Sequence, residues 1–194
     1  SATEHFINSL EKNFRSIALT KALSVSLEKN KELASRDYLT GLYNRRFGME
    51  SLRQELHRSQ RYDEHLSLVI IDIDHFKSIN DRHGHLVGDS VLIEFSKRIT
   101  QLLRNEDVFF RYGGEEFVVV FPHTSLDDAQ QVAQRMRFII SDTEMTIAHK
   151  SIEVTVSMGV SEFKEADTVE YRLSQADEAL YSAKQGGRNR VEIK

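Results

Sequence analysis

Four carboxylates stand where a chain rarely places them. Asp72 and Asp74 close the apolar run LSLVIIDID (66–74), and Glu115 and Glu116 follow Gly113-Gly114 in RYGGEEFVVVF (111–121). Asp72 and Asp74 are two apart on a strand, so both side chains share one face and Ile73 takes the other. An aspartate near the end of a buried apolar strand is costly unless something binds it. A helix cap or a buried ion pair is the ordinary partner, and a metal ion is the sharper one. The second stretch discriminates. DVFFRY and EEFVVVF flank the two glycines as the arms of a hairpin. Without a Cβ, such a turn can come close to a neighbouring strand or ligand. Glutamate is not a favoured turn residue and is out of place between two apolar strands. If the hairpin lies beside strand 66–74, Asp72 meets a glutamate. Directions alternate where the second arm begins, so at most one of Glu115 and Glu116 follows the strand inward. Hard oxygen ligands grouped in this way suit Mg²⁺, with Mn²⁺ as a second choice. Two such ions clamping attacking and leaving oxygens is the common arrangement for phosphoryl-type transfer.

Several elements must position these groups. NRRFGMESLRQELHRS reads as a helix capped by Asn44, with Phe47, Leu52 and Leu56 on one face. LSLVIIDID is apolar on both faces, as a central strand covered on both sides would be. DSVLIEFSKRITQLLR places Leu92, Phe95, Ile99 and Leu102 at helical spacing. SLDDAQQVAQRMRFII is a further amphipathic helix, and SIEVTVSMGV a strand. TVEYRLSQADEALYSAK carries Val169, Leu173, Ala176, Leu180 and Ala183 on one stripe. Gly186-Gly187 end that helix, and RVEIK is a last edge strand. A hairpin within a helix–strand alternation predicts an α+β fold with antiparallel neighbours.

The first 36 residues differ and read as one helix. Ile7, Leu10, Phe14 and Ile17 follow coiled-coil spacing. That register then puts Lys21, Ser24 and Glu28 in the seam, and a second one through Thr20, Leu23, Leu27, Asn30 and Ala34 fits better. No second apolar stripe faces back toward a domain, so a parallel dimer helix is favoured over packing on its own domain. The expected organisation is a linker helix over 1–36 and a catalytic domain over 37–194.

Composition narrows the function. A net charge of −4 argues against a nucleic-acid platform, which carries basic excess. The chain has no cysteine, which excludes disulfides and thiolate metal sites and fits a reducing compartment, the cytoplasm. No run reaches the roughly 18–20 apolar residues of a membrane span, so no membrane contact is expected. The chain opens on Ser1 rather than Met, which suggests a piece of a longer protein with a sensor domain upstream.

RYGGEEF resembles the signature of the GGDEF family, the bacterial diguanylate cyclases, in its E-for-D form. DYLTGLYNRR (37–46), DIDHFKSIND (72–81), GHLVGD (84–89), VSMGV (156–160) and AKQGGRNR (183–190) follow the family order. The resemblance runs from about Asp37 to the C-terminus. It implies a palm-like, mostly antiparallel sheet flanked by helices, similar to class III nucleotide cyclases. It also implies condensation of two GTP into cyclic di-(3′→5′)-GMP. By that resemblance Asp72, the Ile73 carbonyl and Glu115 hold metal. Glu115 is the favoured general base, and Glu116 shares the metals. Asn80 and Asp89 bind guanine, with His85 near the substrate. Lys77, Lys184, Arg188 and the backbone around His75 and Phe76 take the phosphates. An aspartate accepts from guanine N1–H and the exocyclic amine; adenine lacks both donors there, which argues against an adenylyl cyclase.

RNED (104–107) begins nine residues ahead of Gly113 and matches the family's RxxD site for inhibitory product. Arg104 and Asp107 would grip cyclic di-GMP, with Arg135 completing the site. One domain binds one GTP, so the reaction needs a homodimer, and the competing registers of the N-terminal helix would set how the two domains meet. A catalytically silent module that senses GTP or cyclic di-GMP is the second reading. A purely structural dimerisation domain, which needs no Asp72–Glu115 cluster, is the third.

Overall fold

Strand β2 (Leu66–Ile73) has every residue buried, as a run apolar on both faces requires. The computed structural model describes residues 2–194; in the first helix it describes side chains at 12–26 and from 34 onward. The chain forms two compact units, Ser1–Arg36 and Asp37–Lys194.

The first unit is helix α1 (Ala2–Ser35). Phe14, Ile17 and Leu23 are 70%, 65% and 58% exposed on it. Ile7, Leu10, Leu27, Glu28 and Asn30, which also belong to the two registers, lie outside the described side chains. Among the described residues, no helix is long and apolar enough to cross a membrane.

The second unit is α+β. Its remaining elements are β1 (Tyr43–Asn44), α2 (Arg45–Tyr62), α3 (Phe76–His83), α4 (His85–Thr100), β3 (Val108–Arg111), β4 (Glu116–Pro122), α5 (Leu126–Ser141), β5 (Met145–Ile147), β6 (Lys150–Ile152), β7 (Val156–Glu162), α6 (Val169–Gln185) and β8 (Val191–Ile193). The main sheet has the order β1-β3-β4-β2-β7-β8. Its four inner strands pair antiparallel, and the short edge strands β1 and β8 pair parallel with β3 and β7.

Alternation along β2 and β4 divides the core into two layers. Val69, Ile71, Ile73, Phe117, Val119 and Phe121 pack with Phe95 and Ile99 of α4 and Ala133 and Met136 of α5. Leu68, Ile70, Val118 and Val120 pack with Leu52 and Leu56 of α2 and Leu173, Ala176 and Leu180 of α6. By the same period, Asp72 and Glu116 belong to the α2/α6 face.

Helix α6 lies almost on the backbone of β7. A Cβ at Gly159 would stand 2.0 Å from the Ala176 carbonyl oxygen and 2.4 Å from the Leu180 nitrogen. Both obstacles are backbone and cannot swing aside. Gly159→Ala is therefore expected to destabilise the domain by roughly 3 kcal/mol. The melting temperature should fall by about 8 °C in a thermal scan.

Several expected boundaries move. SIEVTVSMGV is two strands, not one: β6 pairs with β5 in a separate hairpin, and β7 belongs to the main sheet. The hairpin turn is Ala148-His149, both left-handed with φ of 48° and 62°. That geometry ordinarily calls for Asn-Gly, so the residue types gave no turn signal. Helix α4 starts at His85, behind Gly84 at φ 89°, so Asp89 lies inside the helix and does not cap it. Leu102 falls beyond its end. Phe47 is 38% exposed rather than core, and stacks on Tyr43 with ring centroids 4.2 Å apart.

Candidate active site

Antiparallel pairing of β2 with β4 sets Asp72 directly opposite Glu116. The backbone continues the contact past the strand end, where the Ile73 N–H donates to the Glu115 carbonyl at 3.3 Å. Gly113 supplies the room for this turn: a Cβ there would stand 3.1 Å from Glu116 Oε2. Neither Gly113 nor Gly114 uses the left-handed backbone, so the pair does not form a two-residue hairpin turn, and of the two only Gly113 has a neighbour within 4 Å of where a Cβ would stand. Arg111 braces the tip. Its Nη2 donates to the Gly114 carbonyl at 2.7 Å, and its Nη1 donates to Asp37 Oδ1 at 3.2 Å. Burial works to raise the Asp37 carboxyl, but the Thr40 amide and hydroxyl together with Arg111 hold it below the usual aspartate range.

Asp72 is 8% exposed. Burial pushes its carboxyl up, a hydrogen bond and the charge of Lys184 pull it down, and the charges of Glu115 and Glu116 push it up again, for a net rise. Lys184 Nζ, from α6, stands 2.9 Å from Asp72 Oδ2. Asp72 therefore feels the charge of both glutamates, and the corner already draws a positive charge. Among the described residues, no three acidic or imidazole side chains are close enough to cage a cation by themselves. An all-oxygen, partly open donor set of this kind fits a small hard divalent ion, which keeps water and substrate oxygens in its shell.

The other expected residues fall around this corner. Two residues separate the end of β2 from helix α3, which begins behind His75 at φ 55°, and no side chain caps its N-terminus. An uncapped helix N-terminus presents amide donors to anions. Phe76 is buried in its first turn, and Lys77 is exposed beside it. Arg188 is exposed in the loop after α6. Asn80 of α3 and Asp89 of α4 sit on the two arms of a helical hairpin that turns at Gly84. Asn80 Oδ1 is buried without a hydrogen-bond partner. It lies against Gly88, where a Cβ would stand 1.8 Å away. His85 is exposed at the first position of α4 and makes no capping bond.

Arg104, Asp107 and Arg135 line one separate cleft of about 770 Å³, together with Phe121, His123 and Gln131. The Arg104 amide donates to Asp107 Oδ2 at 2.8 Å. Asp107 Oδ1 is buried without a partner, and burial raises the Asp107 carboxyl above its ordinary range. RNED thus forms a wall of a real cavity. Asp74, in contrast, does not join Asp72. It accepts from Thr155 Oγ1 and Ser157 Oγ, both at 2.7 Å, and from the Asn189 amide at 3.1 Å. Its partners lie more than eighty residues away in sequence, so spacing could not reveal them.

Residues 34–190 match the family model described as "Diguanylate cyclase, GGDEF domain". The response regulator PleD of Caulobacter vibrioides is 45% identical over 175 residues, covering 89% of this chain and 38% of that protein. The coiled coil and GGDEF domain of DgcB from Caulobacter crescentus, solved with c-di-GMP, superposes with a TM-score of 0.86 at 30% identity, covering 96% of this chain and all of that one. An active GGEEF domain of a diguanylate cyclase from Vibrio cholerae gives a TM-score of 0.73 at 33% identity, covering 77% of this chain and 96% of that one. The chain spans about a quarter to a half of the length of the first curated relatives.

Proposed function

Because the chain belongs to the diguanylate cyclase GGDEF-domain family, we propose that it condenses two GTP into cyclic di-(3′→5′)-GMP and releases two pyrophosphates. The observation that carries this reading is the corner where Asp72 faces Glu116 across the sheet and Lys184 stands 2.9 Å away. Asp72, the Ile73 carbonyl and Glu115 would hold a divalent ion, Mg²⁺ or Mn²⁺, with Glu116 sharing it. When bound, such an ion supplies charge neutralisation at the triphosphate and acidifies the attacking hydroxyl.

The remaining work belongs to the chain. Lys77, Lys184, Arg188 and the uncapped amides around His75 and Phe76 hold the phosphates. Asn80 and Asp89 orient guanine, with His85 at the rim. Glu115 takes the proton of the 3′-hydroxyl. Each domain holds one GTP, so the attacking hydroxyl comes from a second copy of the chain. The exposed Phe14, Ile17 and Leu23 of α1 would bring the copies together as a parallel homodimer.

Incubating the protein with GTP and Mg²⁺ over a range of protein concentrations, with mass spectrometry of the products, tests the reading. Cyclic di-GMP formed at a rate per chain that rises with concentration is expected. GTP bound without product would favour the silent sensing module instead.

The Arg104–Asp107–Arg135 cleft is assigned to inhibitory product. A buried Asp107 oxygen without a partner suits a guanine edge, and arginines suit phosphate and base stacking. Arg104→Ala is expected to raise the half-inhibiting concentration of cyclic di-GMP about tenfold. The uninhibited initial rate should stay within about twofold of the parent. Inhibition curves with added cyclic di-GMP measure both.

A further inference from the structure

The loop after α6 carries an unusual backbone. Gly187, Arg188 and Asn189 are left-handed in succession, at φ of 112°, 63° and 45°. Non-glycine residues persist in that region only where the surroundings fix them. Two residues do the fixing at Asn189. Asp74 accepts its amide at 3.1 Å, and Arg137 Nη1 of α5 donates to its side-chain Oδ1 at 3.2 Å. Asp74 is itself 4% exposed and held by two hydroxyls of the β7 region, Thr155 and Ser157. Its own amide donates to the Thr155 carbonyl at 2.9 Å. The loop is anchored on its other side by the Arg188 amide, which donates to the Ala183 carbonyl at 3.0 Å.

We propose that Asp74, assisted by Arg137 through Asn189, is a positioning residue that sets the Arg188 guanidinium for the triphosphate. It acts through the loop and touches no reacting atom. The chain of contacts is short. Asp74 lies two residues from Asp72, and the segment it clasps begins at Lys184, the partner of Asp72. One carboxylate thus ties the end of β2, the start of β7 and the loop bearing Arg188 into one frame. The Asp72 carboxylate is left for the cation corner. This inference rests on the reading of Arg188 as a phosphate contact.

The test measures GTP binding by calorimetry and initial rates with Mg²⁺ for Asp74→Ala, Asp74→Asn, Arg137→Met, Arg188→Ala and the two doubles with Arg188→Ala. Asp74→Ala should weaken GTP binding and raise KM about tenfold, with kcat changed by less than about threefold. Asp74→Asn keeps an acceptor for the Asn189 amide and should restore most of the affinity. Arg137→Met should give a smaller loss of the same kind, about threefold. On the Arg188→Ala background, neither Asp74→Ala nor Arg137→Met should cost anything further. Unchanged GTP affinity in folded Asp74→Ala, or its full penalty repeated on Arg188→Ala, overturns the proposal. If Asp74→Ala does not fold, Arg137→Met decides: unchanged affinity, or an additive loss, overturns it equally. A parent that makes no cyclic di-GMP would instead defeat the cyclase reading, while the GTP-binding comparison would still stand.

Discussion

Asp72→Asn should lower cyclic di-GMP formation by roughly a thousandfold or more, without lowering stability at neutral pH. The loss follows from the donor set. Asparagine keeps the shape of Asp72 but offers a neutral oxygen and an N–H face where a hard cation needs charge. Stability goes the other way because of where the carboxylate sits. Burial, and the charges of Glu115 and Glu116, outweigh the help of Lys184 and leave the Asp72 pKa raised in the fold. A raised carboxyl takes up protons on folding, so its charged form costs stability above the folded pKa. Stability is regained as pH falls through that value toward the unfolded one. The variant removes this cost. Lys184 loses a partner, but its side chain is 32% exposed and can be rehydrated. Thermal scans from pH 7 downward should show Asp72→Asn equal to or more stable than the parent at pH 7. The difference should shrink as the parent's carboxyl protonates. A variant that keeps turnover, or melts well below the parent at pH 7, would contradict this account. Asp37 behaves oppositely. Its pKa is depressed, so its contribution is present above the unfolded pKa and disappears as pH falls through the folded one.

Gly88→Ala should cut kcat/KM for GTP by about fiftyfold while the domain stays folded. The added methyl would stand 1.8 Å from Asn80 Oδ1 and 2.9 Å from its Cγ. Those atoms belong to a side chain, which can rotate away, so the obstacle is removable at the expense of the amide's position. Alanine also suits a helix interior better than glycine by about 1 kcal/mol, which offsets part of the crowding. The damage therefore falls on base recognition rather than on folding. Steady-state kinetics with GTP, beside a thermal scan, check it. Asn80→Ala should show a similar loss, and the double variant should be little worse than either single one. An unchanged kcat/KM in Gly88→Ala would remove Asn80 from the guanine site.

The parts of this molecule that could be read from the chain were those whose signal is local. LSLVIIDID announces a doubly covered strand because every side chain but Ser67 is apolar until Asp72. The hairpin announces itself because two apolar arms flank Gly113-Gly114. That Asp72 meets the acidic tip was conditional on the hairpin lying beside this strand, and the pairing of β2 with β4 meets that condition, with Asp72 opposite Glu116. Errors came where backbone conformation departs from residue type. The helix read from Asp89 onward in fact starts a turn earlier, at His85 behind Gly84 at φ 89°. Ala148 and His149 make a tight turn without the residues that favour one. What was invisible depends on distant partners. Nothing near Asp74 in sequence shows that it clasps Asn189, and nothing in RNED shows that Phe121 and His123 form the rest of its cleft.

The contact of Lys184 with Asp72 bears on the order of loading. The most sequestered carboxylate of the corner has a counter-ion of the protein's own. On the proposed reading, a divalent ion reaching Asp72 alone would have to displace that ammonium and leave it without an anion. A cation escorted by a polyphosphate gives the dislodged lysine a new anion to rest on. Under that reading, a nucleotide and its ion would be favoured to arrive as one package over a bare ion from the surrounding solution.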